Sequence, residues 1–531
     1  MVTETTLALL VGGRGQRMGQ DKGLLSLRGK PLVFRQILRL GPLFKHILII
    51  CSSEEQKKQY QDSLCPSGVL GMTLRVVVDE SGQDRAAYYG LVAALKNSST
   101  KKVLVLPVDA VGADMLLLKK LLSSHAFPAA YEGYPFPSVW LKDHLSSVIP
   151  STSRDVIPSP EGEESLSILN LLKKGSATWF KSTACEEKLL DVNLNTPEDV
   201  RAYFGDPVCD AWGRHLNYLR LSITESCNMA CRYCLPQGFP GWESAKFQMP
   251  FETISNFLQA FRKLGFEKVR FTGGEPSLHP NLLSAIEEAR SLGYETISLT
   301  TNGSYIRTCL SLAQAGLTHI NISLDSIYED TFFKITGNKN LKKVLSLIDQ
   351  ALELRMKVRL NTVVLRTQNF CEIPQLIEWA KDKPLTLRFI ELMPTHLHQA
   401  YFKENWVSNE EVKQLAGSLG YAPSSHLDSL RVFSEPAGPA TLYDHPKFPC
   451  RLGFISPLSC NFCSRCNRVR VTAQGKLRLC LFSQNDLVLP IEDCPEGLAK
   501  TIRSLLSQKQ EAHTLTQGTM GNVAHFRAIG G

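Results

Sequence analysis

Three cysteines stand within eight residues, in Cys227-Asn-Met-Ala-Cys231-Arg-Tyr-Cys234, directly after an apolar run. Three thiolates on one loop can reach a single metal cluster. A [4Fe–4S] electron carrier takes four cysteines, so three leave one iron open to a small molecule. A structural zinc knuckle would need a fourth ligand nearby, and His215 lies at the wrong spacing for the usual zinc patterns. A second set, Cys463-Ser-Arg-Cys466 with Cys480 further on, has the same three-thiol character. Cys460 could close that site as a fourth ligand, and Cys450 complicates the count. Arg451, Arg465, Arg468, Arg470, Lys476 and Arg478 interleave with these cysteines. Guanidinium forks suit a polyphosphate, although a solvated basic face is the plain alternative.

A third constellation opens the chain, in Leu10-Val-Gly12-Gly13-Arg-Gly-Gln-Arg-Met-Gly-Gln-Asp-Lys22. Backbone N–H groups of such a loop can cradle phosphate, and Lys22 adds a point charge. The string is neither a Walker A sequence nor a clean dinucleotide fingerprint. Asp109 follows the apolar run Val103–Pro107. A carboxylate at a strand end holds a metal or merely caps a turn.

Two series of alternating strands and helices must position these residues. The first has strand-like Leu7–Val11, Ile47–Ser52, Leu74–Val78 and Val103–Pro107, and closes near Asn193-Leu-Asn-Thr-Pro-Glu-Asp199. The second has strand candidates Tyr218–Thr224, Lys268–Thr272, Thr296–Thr301, His319–Leu324, Val358–Val363 and Leu385–Glu391. Helical windows include Phe251–Lys263, Leu341–Leu354 and Ile373–Ala380. About six βα units in a row predict a parallel, barrel-like sheet with its site at the strands' C-terminal ends. The break between the series falls near Tyr203–Gly213. The 531 residues exceed one ordinary core. A net charge of +8 decides nothing about partners by itself. The chain shows neither a basic leader nor an apolar run of bilayer length, so a cytoplasmic protein is expected, with metal rather than disulfides as the use of its fifteen cysteines.

Cys227-x3-Cys231-x-Tyr233-Cys234 after the first barrel strand resembles the radical S-adenosylmethionine superfamily, as does Thr272-Gly-Gly-Glu-Pro276 after the second strand. Thr300-Thr-Asn-Gly303 and Ser323-Leu-Asp325 occupy the next two strand ends. The resemblance implies S-adenosylmethionine held by Tyr233, Gly274, Glu275, Thr301, Ser323 and Met393.

Residues 214–531 closely resemble the GTP 3′,8-cyclase family of molybdenum cofactor biosynthesis, through both cysteine motifs and the terminal Gly530-Gly531. This implies one [4Fe–4S] cluster on Cys227, Cys231 and Cys234 and a second on Cys463, Cys466 and Cys480, whose open iron binds the guanine of GTP. It implies Arg220, Lys268, Arg270, Thr272, Arg359, Arg388, Arg468 and Arg470 around the rest of that nucleotide, with Arg468 and Arg470 and the first three cysteines as the catalytic group. Arg359 stands where the family has lysine, which keeps charge and changes hydrogen-bond geometry. The implied reaction is radical abstraction at C3′ of GTP and closure onto C8 of guanine.

Residues 5–204 resemble the molybdenum cofactor guanylyltransferases, through Gly12-Gly-x-Gly-x-Arg-Met-Gly-x-Asp-Lys22, Gly29-Lys-Pro-Leu32, Asp109 and Asn193–Asp199. This implies GTP at Leu10, Gly12, Gly13, Lys22, Asp79 and Asp109, Mg2+ on Asp109, and attack of a molybdopterin phosphate on the α-phosphate. Ala86-Ala-Tyr-Tyr-Gly90 replaces the family's Gly-Pro-Leu-Ala-Gly, and these tyrosines are expected to reshape the nucleotide pocket.

The fold class expected is therefore α/β: a Rossmann-like nucleotidyltransferase domain over 1–206, a partial (β/α)6 radical barrel over 213–440 and a cluster-binding extension over 441–531. The resemblances imply GTP, molybdopterin or Mo-molybdopterin and an electron donor as partners, with neither nucleic acid nor membrane, and allow a homodimer through the barrel. Two other readings stay open. The first half could be a nucleotide-binding module without transferase activity, and the barrel could act on a peptide.

Overall fold

A computed structural model describes residues 3–11, 20–27, 30–63, 73–79, 86–145, 168–174, 176–234, 247–306, 308–394, 399–424, 438–460, 462–483, 485–513 and 515. The chain divides into two compact units, Met1–Tyr203 and Phe204–Gly531.

The first unit is built on seven strands: β1 (Thr3–Leu10), β2 (Phe44–Cys51), β3 (Thr73–Val78), β4 (Lys102–Pro107), β5 (Ala129–Tyr131), β6 (Tyr134–Leu141) and β7 (Thr178–Phe180), in the order β3-β2-β1-β4-β6-β5-β7. Strands β1 to β4 are parallel, and their near-continuous apolar runs match a sheet covered on both faces. Leu7, Leu9, Val103 and Leu104 are fully buried. The chain order reverses direction about β1, which has β2 on one side and β4 on the other. That switch opens a crevice beyond the strand ends, where such sheets bind ligands. Val11 after β1 and Asp109 after β4 flank it.

The second unit has one sheet of eleven strands. They are β8 (Tyr218–Ser222), β9 (Lys268–Thr272), β10 (Thr296–Thr301), β11 (His319–Ser323), β12 (Lys357–Val364), β13 (Thr386–Glu391), β14 (Ala422–Pro423), β15 (Thr441–Asp444), β16 (Arg451–Ile455), β17 (Arg468–Val471) and β18 (Leu477–Arg478). Their order is β14-β15-β16-β13-β12-β11-β10-β9-β8-β17-β18. The six predicted barrel strands are there, parallel throughout. The sheet runs across the expected division at residue 440/441. Strands β16 and β17, from beyond it, add in parallel at opposite edges of the six, on β13 and β8. Exposed main-chain donors and acceptors at a sheet edge seek pairing, and the later part of the chain supplies it at both edges.

Alternation decides which side chains face where. Leu219, Leu221, Val269, Phe271, Ile320, Ile322, Leu387 and Phe389 are buried against the helices in one continuous core. Their neighbours Arg220, Arg270, Asn321 and Arg388 project from the opposite face. Five strands separate β13 from β17 in the sheet. Yet Met393, just after β13, packs against Phe482, just after β18, so the sheet curls until its two sides approach. Among the described residues, no helix is long and apolar enough to cross a membrane.

Candidate active sites

The first thiol loop leaves β8 and crosses the C-terminal ends of the barrel strands. Its backbone is pinned there: Ala230 N donates to Thr336 O at 2.9 Å and Arg232 N to Ile335 O at 3.0 Å. Asn302 Nδ2 donates to Asn228 Oδ1 at 2.8 Å, and Asn228 Nδ2 to Ser304 Oγ at 2.9 Å. Cys227, Cys231 and Cys234 are partly buried. Burial first, then Asp325 and the other two thiols, holds the Cys231 thiol well above its usual range. Cys227 and Cys234 thus both lie near Cys231, as a shared cluster requires. Tyr233 Oη donates to Asp325 Oδ2 at 2.8 Å. Asp325 is buried, which raises its carboxyl to about 6 against the opposing hydrogen bonds from Val363 N and Tyr233.

Gly273 and Gly274 are required sterically. A Cβ on Gly274 would lie 2.4 Å from Ser226 O, and one on Gly273 would lie 2.5 Å from Thr224 O. The turn after β9 is thereby pressed against the root of the thiol loop, with Gly274 N donating to Thr224 O and Glu275 N to Ser226 O. Glu275 accepts from Thr301 Oγ1 at 2.7 Å and from Asn302 N at 2.6 Å, as well as from Ser277. Glu275 and Thr301, both expected at the cofactor, therefore hold each other. Ser323 lies at the end of β11 with its side chain half-buried. Met393 packs with Phe482, Cys480 and Leu481, against the second thiol set.

Between the two thiol sets lies the polar side of the barrel. Cross-strand pairing aligns Tyr218 with Lys268 and Arg468, Arg220 with Arg270 and Arg470, and Arg359 with Asn321. Arg220, Arg270, Arg388 and Arg470 are buried. Burial, then the neighbouring arginines, pulls Arg220 and Arg388 well below the usual guanidinium range, and burial with Arg468 draws Arg470 down to about 10. Thr272 is buried on the same face. None of the described residues facing this lumen from β8 to β13 or from β17 is Asp or Glu. Arg388 Nη2 donates to Asn321 Oδ1 at 2.6 Å, a tether missing from the sequence-based expectations. Ser298 Oγ, Thr300 Oγ1, Asn361 Oδ1 and Arg388 Nε are buried without a hydrogen-bond partner. Buried polar atoms in that condition are costly, and a polar ligand would satisfy them.

The second thiol set occupies the other end. Cys466 precedes β17, which runs parallel to β8, so it sits by the strands' N-terminal ends, where Asn467 Nδ2 donates to Asn217 Oδ1 at 2.7 Å. The first thiol loop follows the C-terminal end of β8, a five-residue strand roughly 16 Å long at about 3.3 Å per residue, whereas Cys466 lies beside its N-terminal end. Burial raises the Cys463 thiol, and Cys480 and Cys466 nearby raise it further. Cys450 is excluded from this set: it is buried in the hydrophobic core beside Tyr421, and burial pushes its thiol up to about 12. Cys460 is exposed. The basic cluster also divides. Arg451 pairs with Asp444 and Arg478 with Asp486, while Arg468 and Arg470 stand on β17 in register with lumen-facing Tyr218 and Arg220. Among the described residues, no three His, Cys, Asp or Glu side chains converge on a single-ion site.

In the first unit, Lys22 Nζ lies 2.6 Å from Asp109 Oδ2 and 2.8 Å from Asn195 Oδ1, joining three sequence motifs at the crevice. Asp21 accepts from Tyr60 Oη at 2.6 Å and from Gly23 N at 2.8 Å, which fixes the backbone beside Lys22. Asp79 is buried at the end of β3, and Leu10 O accepts from Val108 N at 3.0 Å. Tyr88 departs from expectation: it is buried in the core with Leu10, Leu48 and Leu91, so it fills the interior rather than a pocket. Tyr89 stacks edge-on against it at 5.3 Å. Gly12, Gly13, Gly530 and Gly531 lie outside the described residues.

Comparison with known proteins agrees in layout. Residues 221–380 match the model of the radical SAM superfamily, 385–515 that of Molybdenum Cofactor Synthesis C, and 7–153 that of the MobA-like NTP transferase domain. A protein of Shewanella denitrificans described as GTP 3′,8-cyclase is 38% identical over 330 residues, covering 61% of this chain and 95% of that one. One of Pasteurella multocida with the same description is 37% identical over 335 residues, covering 61% and 97%. The crystal structure of Streptococcus suis SuiB bound to S-adenosylmethionine aligns at a TM-score of 0.40 and 14% identity, covering 56% of this chain and 72% of that one.

Proposed function

The chain belongs to the GTP 3′,8-cyclase family through its second unit, and from that premise we propose that it is a bifunctional enzyme of molybdenum cofactor biosynthesis. The second unit cyclises GTP to 3′,8-cyclo-7,8-dihydro-GTP. The first transfers a guanylyl group from GTP to molybdopterin or Mo-molybdopterin. The observation that carries the cyclase reading is a barrel lumen rich in buried arginines, without facing carboxylates, between two three-thiol loops.

Cys227, Cys231 and Cys234 would hold a [4Fe–4S] cluster, which with S-adenosylmethionine would supply the radical chemistry of the reaction. Tyr233, braced by Asp325, walls that cofactor. Arg220, Arg270, Arg470 and Lys268 take the triphosphate, where guanidinium pairs with phosphate oxygen strongly in a buried setting. Arg388, oriented by Asn321, and Arg359 meet the ribose side. Cys463, Cys466 and Cys480 hold a second cluster at the far end, with Arg468 beside it. Binding on both sides of the reacting carbon atoms restricts GTP to the geometry in which C3′ meets C8.

In the first unit, GTP lies in the crevice after β1 with Lys22 on its phosphates. Asp109 holds Mg2+ against the developing charge. Asn195 keeps Lys22 in reach.

Two assays decide the matter. The anaerobically prepared chain with GTP, S-adenosylmethionine and reductant forms 5′-deoxyadenosine and the cyclised nucleotide. With GTP, Mg2+ and molybdopterin it releases pyrophosphate, and Asp109→Ala abolishes that release. Absence of 5′-deoxyadenosine from reconstituted protein would contradict the first activity, and wild-type behaviour of Asp109→Ala the second.

A further inference from the structure

Lys509 is only 3% exposed, a rare setting for an ammonium group. It follows the helix Pro495–Leu506, in the polar stretch Ser507-Gln-Lys-Gln-Glu511. Its Nζ donates to Arg468 O at 3.2 Å and to Leu479 O. The first acceptor lies two residues after Cys466 and the second one residue before Cys480, so one ammonium fastens both arms of the second thiol set. Both of those thiols lie close enough to act on its ammonium group.

The backbone around Lys509 is locked in turn. Trp212 Nε1 donates to Lys509 O at 3.0 Å. Arg214 donates to Gln510 O and Glu511 O, each at 2.6 Å, and to Cys463 O at 2.8 Å, which brings in the third cysteine. Asp210 Oδ2 fixes Arg214 Nε at 2.6 Å. Residues 210–214, 463–480 and 509–511, distant in sequence, thus converge on three cysteines. A lysine serving only to fill space would not need two carbonyls from the two cysteine arms.

We propose that Lys509 is a positioning residue for the second iron–sulfur cluster, tying the Cys466 and Cys480 arms together and placing its ammonium group beside the thiolates. This rests on reading Cys463, Cys466 and Cys480 as cluster ligands. A neighbouring cation favours the more negative, reduced form of a cluster, so removing it lowers the midpoint potential.

The test uses the full anaerobic chain, with iron and sulfide per chain and a redox titration of each cluster followed by electron paramagnetic resonance. In K509M the first cluster keeps its occupancy and midpoint, while the second is lost or titrates at lower potential. K509R, which keeps the charge, restores it. Wild-type occupancy and midpoints in K509M would overturn the proposal. So would equal damage in K509R and K509M, or a K509M chain that does not fold, since either marks a role in shape alone. A wild-type chain that carries only the first cluster would instead refute the reading of the second thiol set.

Discussion

The two units proposed to take GTP hold positive charge in opposite ways. In the crevice of the first, Lys22 is already engaged by Asp109 at 2.6 Å. In the lumen of the second, Arg220, Arg270, Arg388 and Arg470 are buried beside one another and no facing strand residue is acidic. The first site starts near electrostatic balance, so binding exchanges Asp109 for phosphate or inserts Mg2+ between them. The second starts out of balance, and a polyanion relieves repulsion that the fold itself has assembled. Anion affinity in the barrel is therefore built in at a cost to the empty protein, whereas in the crevice it depends on what binds with the nucleotide.

Separability is the strongest test of this comparison. C231S should bring cyclisation to background while guanylyl transfer stays at the wild-type rate, measured in one preparation. Loss of both activities would mean the units do not work independently. The reverse variant, D109A, should lower guanylyl transfer by at least about a hundredfold through loss of metal-held charge, with cyclisation unaffected.

R470M sharpens the contrast in charge. Hydrogen bonds to charged groups are worth about 1.5–3 kcal/mol, so GTP binding to the second unit should weaken roughly ten- to a hundredfold, read by titration calorimetry. The empty chain should behave oppositely. The Arg470 guanidinium sits at about 10 in the fold, well below its ordinary range. Its charged form is disfavoured by folding, so the penalty is fully present below about pH 10 and fades as pH rises above that. R470M should therefore unfold at a higher temperature than wild type at neutral pH without nucleotide, and gain less from added GTP. A lower unfolding temperature would show that the arginines are mutually supported rather than in conflict.

The smallest effect concerns Asp325. Its carboxyl is raised from 3.8 to about 6, so the folded state binds a proton more tightly than the unfolded chain. That contribution is present below pH 3.8 and is lost as pH climbs through about 6, leaving a cost on the order of 3 kcal/mol above it. In the metal-free chain, D325N should remove this dependence. Its stability relative to wild type should rise between about pH 4 and 6 and then level off in denaturant titrations. A constant difference across that range would place the proton elsewhere.

Much of this was legible in the residues. Lys268-Val-Arg-Phe-Thr272 and His319-Ile-Asn-Ile-Ser323 alternate strictly, and period two assigns one set to the helices and the other to the lumen. The glycines at 273 and 274 read as a tight turn, and the backbone they must approach was the part that needed coordinates. The joining of β16 and β17 to opposite edges of the barrel strands was hidden, because parallel pairing between distant segments leaves no local pattern. Asn321 could have been found from the same alternation. Lys509 could not: its neighbours Gln508 and Gln510 read as solvated surface, and its burial comes from segments far away in sequence. Tyr88 was misplaced for a similar reason. Its size suggested a reshaped pocket, but its helical position faces the core.

The account stands on two three-thiol loops at opposite ends of one arginine-lined barrel, and counting iron and acid-labile sulfide in anaerobically isolated protein tests it most directly. Roughly eight irons per chain are predicted, falling to about four when Cys463, Cys466 and Cys480 are all replaced by serine. About four irons in the wild type, or zinc in place of iron at the second set, would contradict it.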